Sequence, residues 1–417
     1  MHTPCNVPAS ARSGIGTLAV SPSEVILMML LSRCIVVAAA VCCVAAVLPV
    51  DIARQAAAEE VAPVAEGQWD LAVTLPRPAR KGNPQSPSVA HLWLPKTHEK
   101  IRGLILAGKI LLERRICCEG AIRQAAAEKR LGILYFEPHF NAIFNYAETD
   151  SENDLQKVLA ELAQKTNRPE LAVVPWLTMG HSTGGIFCRN VAYWQPERVI
   201  GVVHIKSGNF QDGIQDPGRT LAGVPLMSIN GEFEEYGPAG GDLGRGLRSE
   251  YSLDPNDKKQ RNQSQWVLIR MQQIERRRKN PDNLMSLVVH RDAGHTSWDD
   301  DMTALTAQFI RSAADARLPA EEPSGNSIVR CRPLKAEDGW LSDADIKAPQ
   351  HEPAPFAEYT GDKTLAFWHV DRAMAEAVVQ YHARGWKDPD PTAGLPVKQR
   401  YTPPEMLRDP IDGKTED

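Results

Sequence analysis

The chain has 417 residues, of which 43% are hydrophobic and 24% are charged, and both fractions are ordinary for a globular protein. Its 47 Lys and Arg residues are outnumbered by 52 Asp and Glu residues, which gives a net charge of −5. This balance argues against a protein whose main task is nucleic-acid binding, because phosphate binding needs a strongly positive surface. The sequence has no collagen-like period, heptad repeat or low-complexity bias, so fibrous, coiled-coil and disordered classes are excluded as well.

Residues 1–58 are predicted to be a targeting segment. Residues 25–50 are mostly apolar and contain Arg33, and the alanines at 56–58 form a small-residue cleavage motif. A basic residue, a short apolar run and a small-residue exit are the parts of a secretory signal. The prediction is therefore a secreted or periplasmic protein, and the alternative is an uncleaved segment that anchors the protein in a membrane. A normal-looking signal begins near Met28, which indicates that the true start lies there.

Eight cysteines are present, and four of them follow the predicted targeting segment. Four cysteines in a chain of this length do not make a disulfide scaffold. Two alternatives stay open: a single bridge from Cys331 to Cys117 or Cys118, or buried free thiols that include Cys188. No cysteine has metal-ligand spacing, so the cysteines predict no metal site. No other cofactor is predicted.

Between residues 59 and 318, short apolar runs alternate with amphipathic stretches. Continuous apolar strands alternating with helices are typical of an α/β fold, in which helices cover both faces of a mostly parallel sheet. The predicted strands are 69–76, 89–94, 102–108, 131–136, 171–179, 199–205, 225–230 and 284–290. The predicted helices are 111–130, one that begins at Ser151, 184–194, 264–279 and 298–317.

The composition changes after Leu318. Residues 319–360 are rich in proline and polar residues, and a single helix-like stretch follows at 363–384. This segment is too short and too interrupted to be a second domain, so 319–417 is predicted to be an extension that packs on the main domain, residues 59–318. Its predicted anchors are Trp340, Phe367 and Trp368.

Residues 180–185 read GHSTGG and place a G-x-S-x-G motif between a predicted strand and a predicted helix. A nucleophile on a sharp strand-to-helix turn needs Gly180 and Gly184, because the two backbones approach each other there. The turn would expose the Ser182 hydroxyl, and the Thr183 N–H could donate to an oxyanion at the helix N-terminus. Ser182 is therefore the predicted nucleophile, and the alternative is a tight turn with a capping serine.

A serine nucleophile needs a base, for which His295 is the candidate. It follows the last predicted strand and precedes a helix, where a loop histidine can reach over the sheet edge. His290 and His204 lie inside predicted strands and are expected to be packed. The ring of His181, inside the nucleophile turn, is expected to point away from the position of the base.

The base in turn needs a carboxylate that holds its tautomer. Three glutamates follow Gly231 at the end of a predicted strand, and Glu234, three residues after this glycine, is the predicted acid. Glu235, Glu232 and a more distant acid such as Asp212 stay open as alternatives. The order serine, acid, histidine along the chain differs from that of chymotrypsin and of subtilisin.

On GHSTGG at 180–185, NGEFEE at 230–235 and AGHTSW at 293–298, the chain resembles the α/β-hydrolase superfamily over about residues 68–317. The resemblance implies an eight-stranded, mostly parallel sheet and acyl transfer to water through an acyl-enzyme. It also implies a second oxyanion donor from the loop after the third predicted strand, where the backbone N–H of Lys109 is the candidate. A glutamate in place of the commoner aspartate departs from the family pattern.

These features predict an exported serine hydrolase that cleaves a small-molecule or polymeric carboxylic ester, such as an acylated carbohydrate, a feruloyl-type ester or a polyester. A peptidase or thioesterase would use the same residues, and a catalytically silent binding protein of the same fold is an alternative from another class. No nucleic-acid partner is expected, and a membrane only through an uncleaved N-terminal segment. The long stretch 236–263 predicts either a lid or a surface excursion.

Overall fold

The computed structural model describes residues 69–75, 88–108, 110–137, 144, 146, 150–207, 220–234, 265–386, 390 and 392–401. Several predicted features lie outside these residues: the targeting segment 1–58, Lys109, Asp212, Glu235 and the stretch 236–263.

The central sheet has eight strands in this described part of the chain. They are β1 (Leu71–Leu75), β2 (Ser88–Trp93), β3 (Gly103–Ala107), β4 (Leu131–Glu137), β5 (Trp176–His181), β6 (Val199–Ile205), β7 (Leu226–Gly231) and β8 (Met285–His290). Their order is β1-β2-β4-β3-β5-β6-β7-β8. β2 is antiparallel to both of its neighbours, and all the other pairs are parallel.

Helices cover both faces of this sheet. They are α1 (Glu113–Cys118), α2 (Gly120–Glu128), α3 (Ser151–Thr166), α4 (Thr183–Trp194), α5 (Gln265–Lys279) and α6 (Asp300–Arg317). Alternate residues of β3 enter different cores: Leu104 and Leu106 pack with α3, α4 and α5, whereas Ile105 packs with α1, α2 and α6. Every residue of β3 is buried, because both faces are covered. The predicted α/β class is confirmed.

Most element boundaries agree with the sequence prediction to within about two residues, and two differences are larger. β5 begins at Trp176 rather than at residue 171, because a 3₁₀ turn over Pro169–Ala172 precedes it. The predicted helix 111–130 is two helices, since Glu119 has extended backbone angles (φ −62°, ψ 132°). Both helices bury apolar side chains in the same core, so the apolar pattern continues across the break and conceals it.

The C-terminal extension contains a second sheet of three described strands, β9 (Trp340–Asp343), β10 (Ala354–Pro355) and β11 (Ala366–His369), in the order β10-β9-β11. The predicted helix over 363–384 is therefore wrong in its first part. Its apolar run Ala366–His369 pairs with β9, and helix α7 (Arg372–His382) begins only after Asp371. The Asp371 carboxylate accepts the N–H of Met374 at 2.8 Å and so caps this helix. Phe367 and Trp368 are buried, and Trp340 is half-buried.

The extension covers β8, the last strand of the large sheet. The N–H of Val289 donates to Nε2 of His382 at 3.1 Å, and the N–H of Arg291 donates to the Tyr381 hydroxyl at 3.0 Å. A sheet edge with unpaired backbone groups invites pairing with another chain, and these side chains occupy two of those groups. A short helix, α8 (Val397–Tyr401), follows α7 in the described chain.

A buried ion pair adds a further link between the extension and the large domain. The guanidinium of Arg270 in α5 lies 2.6 Å from the Asp390 carboxylate and donates to the Thr392 hydroxyl at 2.7 Å. Removing one partner of such a pair leaves an uncompensated buried charge, which is strongly destabilising. The extension is thus bound to the domain by polar as well as apolar contacts.

The four cysteines of the described chain, Cys117, Cys118, Cys188 and Cys331, are all buried and free. The structure therefore agrees with the second of the two alternatives that the sequence left open for them. Within the described residues, no helix combines the length and the apolar character needed to cross a membrane.

Replacing His382 with alanine is expected to lower the free energy of unfolding by about 1–3 kcal/mol at pH 7.5, because the Val289 N–H loses its acceptor. Burial, followed by the charges of His369 and Arg291, lowers the pKa of His382 from 6.5 to about 3. Below pH 6.5 the unfolded state therefore binds a proton that the folded state does not bind, and this histidine makes the wild type lose stability as the pH falls. The gap between wild type and variant should narrow by about 1.4 kcal/mol per pH unit below 6.5.

Denaturant unfolding at pH 7.5, 6 and 5 measures this gap. Gln380→Ala is the matched control, because Gln380 is exposed on the same helix and should leave stability almost unchanged. A gap that stays constant over this pH range would contradict the assignment of His382 as a neutral acceptor.

Candidate active site

Ser182 lies on the turn that joins β5 to α4. Its backbone angles (φ 52°, ψ −125°) are disfavoured for a residue with a side chain. The Ser182 N–H donates to the Ile205 carbonyl at 2.9 Å, and the Ser182 carbonyl accepts the N–H of Gly185 at 3.0 Å. The Ser182 side chain makes no capping hydrogen bond with α4, so the geometry does not support the alternative of a capping serine.

The glycines of the motif allow the close approach of strand and helix. A Cβ atom on Gly180 would overlap the backbone carbonyl of Gly184, and a Cβ on Gly184 would overlap the carboxylate of Glu113. A Cβ on Gly185 would overlap the side chain of Ser207 at the end of β6. A side chain at Gly180 would therefore require a backbone shift, and one at Gly184 or Gly185 would require a neighbouring side chain to move.

His295 and Glu234 are brought together from two loops at the same end of the sheet. His295 Nδ1 lies 2.9 Å from Glu234 Oε1, and the Glu234 side chain is fully buried. Its other oxygen accepts the N–H of Gly231 at 2.8 Å and the side-chain amide of Asn230 at 3.1 Å. A carboxylate so bonded keeps the proton of His295 on Nδ1, which leaves Nε2 as the basic nitrogen.

The other candidate acids are placed differently. Glu232 forms an ion pair with Lys347 of the extension, and its second oxygen accepts the N–H of Asp292 at 3.1 Å. Asp212 and Glu235 lie outside the described residues. Among the carboxylates that the structure describes, Glu234 is the one bonded to His295.

The rival histidines occupy structural positions. The ring centroid of His181 lies 4.7 Å from that of His295, and His181 Nε2 lies 2.8 Å from the His295 carbonyl oxygen. The expectation that this ring points away from the base is therefore wrong. The loop after β8, which carries His295 and is called the histidine loop below, lies against His181 at the end of β5. Burial lowers the pKa of His181 to about 4, so the ring is neutral at pH 7 and donates Nε2–H to this carbonyl. His290 Nε2 lies 2.8 Å from the Asp299 carboxylate, and His204 is fully buried in β6.

The predicted oxyanion donors are only partly described. Thr183 is exposed and is the first residue of α4, where backbone N–H groups have no partner within the helix. Lys109 lies outside the described residues, but the two residues after it are described. The N–H groups of Ile110 and Leu111 both donate to the carboxylate of Glu113 at 3.0 Å.

No protein-family model and no curated protein matches this sequence. Among solved structures, the chain is similar to an α/β serine hydrolase homologue from Coxiella burnetii, at 13% identity and a TM-score of 0.33 over 58% of this chain and 97% of the other. It is also similar to a serine hydrolase without a lid from Xanthomonas campestris (15% identity, TM-score 0.34, 60% and 96%). A third is a poly(3-hydroxybutyrate) depolymerase from Bordetella parapertussis (19% identity, TM-score 0.36, 56% and 87%).

The structure has the features expected from the resemblance of the sequence to the α/β-hydrolase superfamily. The strands are parallel from β4 to β8, and Ser182 lies on a strand-to-helix turn. The chain has an α/β-hydrolase fold. The strand arrangement also explains why residues far apart in the sequence meet. β5, β7 and β8 are parallel, so their carboxyl ends lie at one edge of the sheet.

Three charged residues of this hydrolase-fold site were missed by the sequence reasoning. Lys206, fully buried at the end of β6, donates from Nζ to the Gly294 carbonyl and, at 2.6 Å, to that of Ser297. Its sequence signal was a single lysine, Lys206, directly after an apolar strand. Glu113, a lone carboxylate after an apolar run, was another. No sequence signal pointed to Lys347, because the fold of the extension could not be predicted from the sequence.

Replacing Gly180 with alanine is expected to lower the free energy of unfolding by about 1–3 kcal/mol, because the added methyl group would overlap backbone that cannot move without displacing the Ser182 turn. Gly120→Ala is the matched control, since Gly120 opens α2 and a Cβ there meets no atom within 4 Å. The control should be neutral or slightly more stable, because alanine favours a helix over glycine. Denaturant unfolding measures both variants, and equal stability of the two would refute the steric account of the turn.

Proposed function

We propose that the protein is a serine hydrolase that cleaves a carboxylic ester through an acyl-enzyme. The observation that carries the proposal is the 2.9 Å hydrogen bond between His295 Nδ1 and the buried carboxylate of Glu234. It is supported by the ring contact of His295 with His181, the residue next to Ser182 in the strained turn. A nucleophile, a base and an orienting acid in this arrangement are the parts of acyl-transfer chemistry.

In the first half of the proposed reaction, the Ser182 hydroxyl attacks the acyl carbon while Nε2 of His295 accepts its proton. The Glu234 carboxylate stabilises the imidazolium that forms. The negative charge on the former carbonyl oxygen is stabilised by backbone N–H groups, for which Thr183 and Lys109 are the proposed donors. Collapse of this intermediate breaks the bond to the alcohol oxygen, which receives the proton from His295.

In the second half, water attacks the acyl-enzyme. His295 accepts a proton from this water and then returns it to the Ser182 oxygen as the acid product leaves. The overall change is ester plus water to acid plus alcohol, and the proposed reaction consumes no cofactor. In each step His295 accepts and donates the proton through Nε2, because the bond to Glu234 keeps the other proton on Nδ1.

The proposed setting is outside the cytoplasm. The apolar stretch 25–50 with Arg33 and the small residues at 56–58 support export, with membrane anchoring as the alternative. Polymeric and small esters are both proposed substrates, so both classes belong in an activity panel. A peptidase or thioesterase would use the same triad, so amide and thioester substrates are included there.

Replacing Ser182 with alanine is expected to abolish labelling by a fluorophosphonate probe and hydrolysis of chromogenic esters, because the probe reacts only with an activated serine. Ser324→Ala is the matched control, since Ser324 is exposed and distant in the chain. Labelling of wild type and control but not of Ser182→Ala is the expected result. A folded wild type that neither labels nor turns over any ester, thioester or amide would point to a catalytically silent binding protein.

Replacing Glu234 with glutamine is expected to lower kcat by about 10²–10⁴-fold, because a neutral amide no longer fixes the tautomer or stabilises the imidazolium. Glu232→Gln, two residues away and bonded to Lys347 rather than to His295, should cost much less activity. Steady-state ester hydrolysis by both variants and by Glu235→Gln compares the three glutamates. A larger loss in Glu232→Gln or Glu235→Gln than in Glu234→Gln would assign the acid elsewhere.

A further inference from the structure

The fully buried carboxylate of Glu113 joins the loop after β3 to the nucleophile turn, whose His181 lies 68 residues further along the chain than Glu113. Oε1 accepts the N–H of His181, next to the nucleophile, at 2.8 Å. Oε2 accepts the N–H groups of Ile110 and Leu111, in the loop after β3, at 3.0 Å each. One side chain therefore binds both the nucleophile turn and the neighbouring loop.

This carboxylate takes the place of strand backbone. The parallel pairing of β3 with β5 ends with Ala107 opposite Met179. Two residues further along β5, the N–H of His181 faces the side of β3, because the following N–H, that of Ser182, bonds to β6 on the other side. The pairing of β5 with β3 extends no further than Met179 in the described residues, and Glu113 supplies the acceptor for this N–H.

The space for the carboxylate comes from the nucleophile motif itself. Gly184 has no side chain, and a Cβ atom there would overlap Oε1 of Glu113. Burial raises the pKa of Glu113, and the hydrogen bonds from backbone N–H groups, with that of His181 first, oppose this shift. Among the described residues no Lys, Arg or His side chain forms an ion pair with Glu113, so backbone N–H groups are the donors that stabilise its charged form.

We propose that Glu113 is a positioning residue that fixes the loop after β3 against the nucleophile turn. The inference rests on the proposed function, because that loop is where the reaction needs a second oxyanion donor. Oxyanion stabilisation depends on donors that are held in place before the charge develops, and a shift of the loop weakens it. Glu113 thus acts through the backbone and touches no reacting atom.

The first test is Glu113→Gln, which keeps the size of the side chain but has only one oxygen. Glutamine can accept from His181 or from the Ile110–Leu111 pair, but not from both sides, because its NH₂ group meets a donor on the other side. We expect kcat for ester hydrolysis to fall by about 10- to 100-fold with KM changed by less than about threefold, the pattern of an interaction made in the transition state. Affinity for a boronate transition-state analogue should fall by the same factor.

Glu119→Gln is the control, since Glu119 follows α1 and pairs only with Arg115 near the surface in the described structure. It should keep wild-type kcat and KM.

A second pair of variants tests the same loop in case Glu113→Gln does not fold. Leu111→Pro removes one of the N–H donors to Glu113 at an exposed position, 59% accessible, whereas Leu111→Ala retains the donor. Leu111→Pro should lose more kcat than Leu111→Ala, and its loss should be less than additive with Glu113→Gln.

Amide hydrogen exchange gives a readout that does not need activity. In Glu113→Gln the segments around Ile110, Leu111 and His181 should exchange faster than in wild type, while the rest of the sheet stays protected. Wild-type kcat and unchanged exchange in a folded Glu113→Gln protein would overturn the inference and leave the proposed function intact. A wild type without hydrolase activity would overturn the proposed function, and the exchange comparison would still show whether Glu113 holds the two segments together.

Discussion

The close approach of α4 to the end of β5 is the constraint around which the rest of the site is arranged. Gly180 and Gly184 come so near each other that a side chain on either would collide with its surroundings. The chain can turn this sharply only if Ser182 adopts a disfavoured backbone conformation, which costs about 1–3 kcal/mol and persists only when neighbouring contacts enforce it. The enforcing contacts come from β6 and from the first turn of α4.

Two buried charges stabilise the irregular segments beside this turn. Glu113 accepts backbone N–H groups, and Lys206 donates to backbone carbonyls of the histidine loop. In a region of low dielectric such bonds are stronger than in water, and loss of a partner leaves a costly unsatisfied group. Loops that make no strand or helix bonds of their own are thereby tied to the sheet, and His295 occupies a defined position relative to Glu234.

The sequence predicted those features that depend on residues close to one another in the chain. Apolar runs predicted the buried parallel strands, and the glycine spacing around Ser182 predicted a strand-to-helix turn, because both patterns follow from space and burial. His295 was predicted from its position after the last strand and Glu234 from its spacing after Gly231, and the structure brings the two within hydrogen-bond distance. The run Ala366–His369 was misread as helical, because only its pairing with β9 makes it a strand. Glu113 was missed for a related reason, since one of its partners, the N–H of His181, lies 68 residues away in the chain.

The contact between His382 and Val289 has a consequence for the order in which the protein can mature. The two residues are separated by 93 positions, so β8 leaves the ribosome long before the side chain that covers it. Translation at about 5–20 residues per second leaves this strand uncovered for several seconds. Until α7 arrives, the growing sheet is a template onto which a second nascent chain can add. The yield of folded protein should therefore fall as the concentration of nascent chains rises.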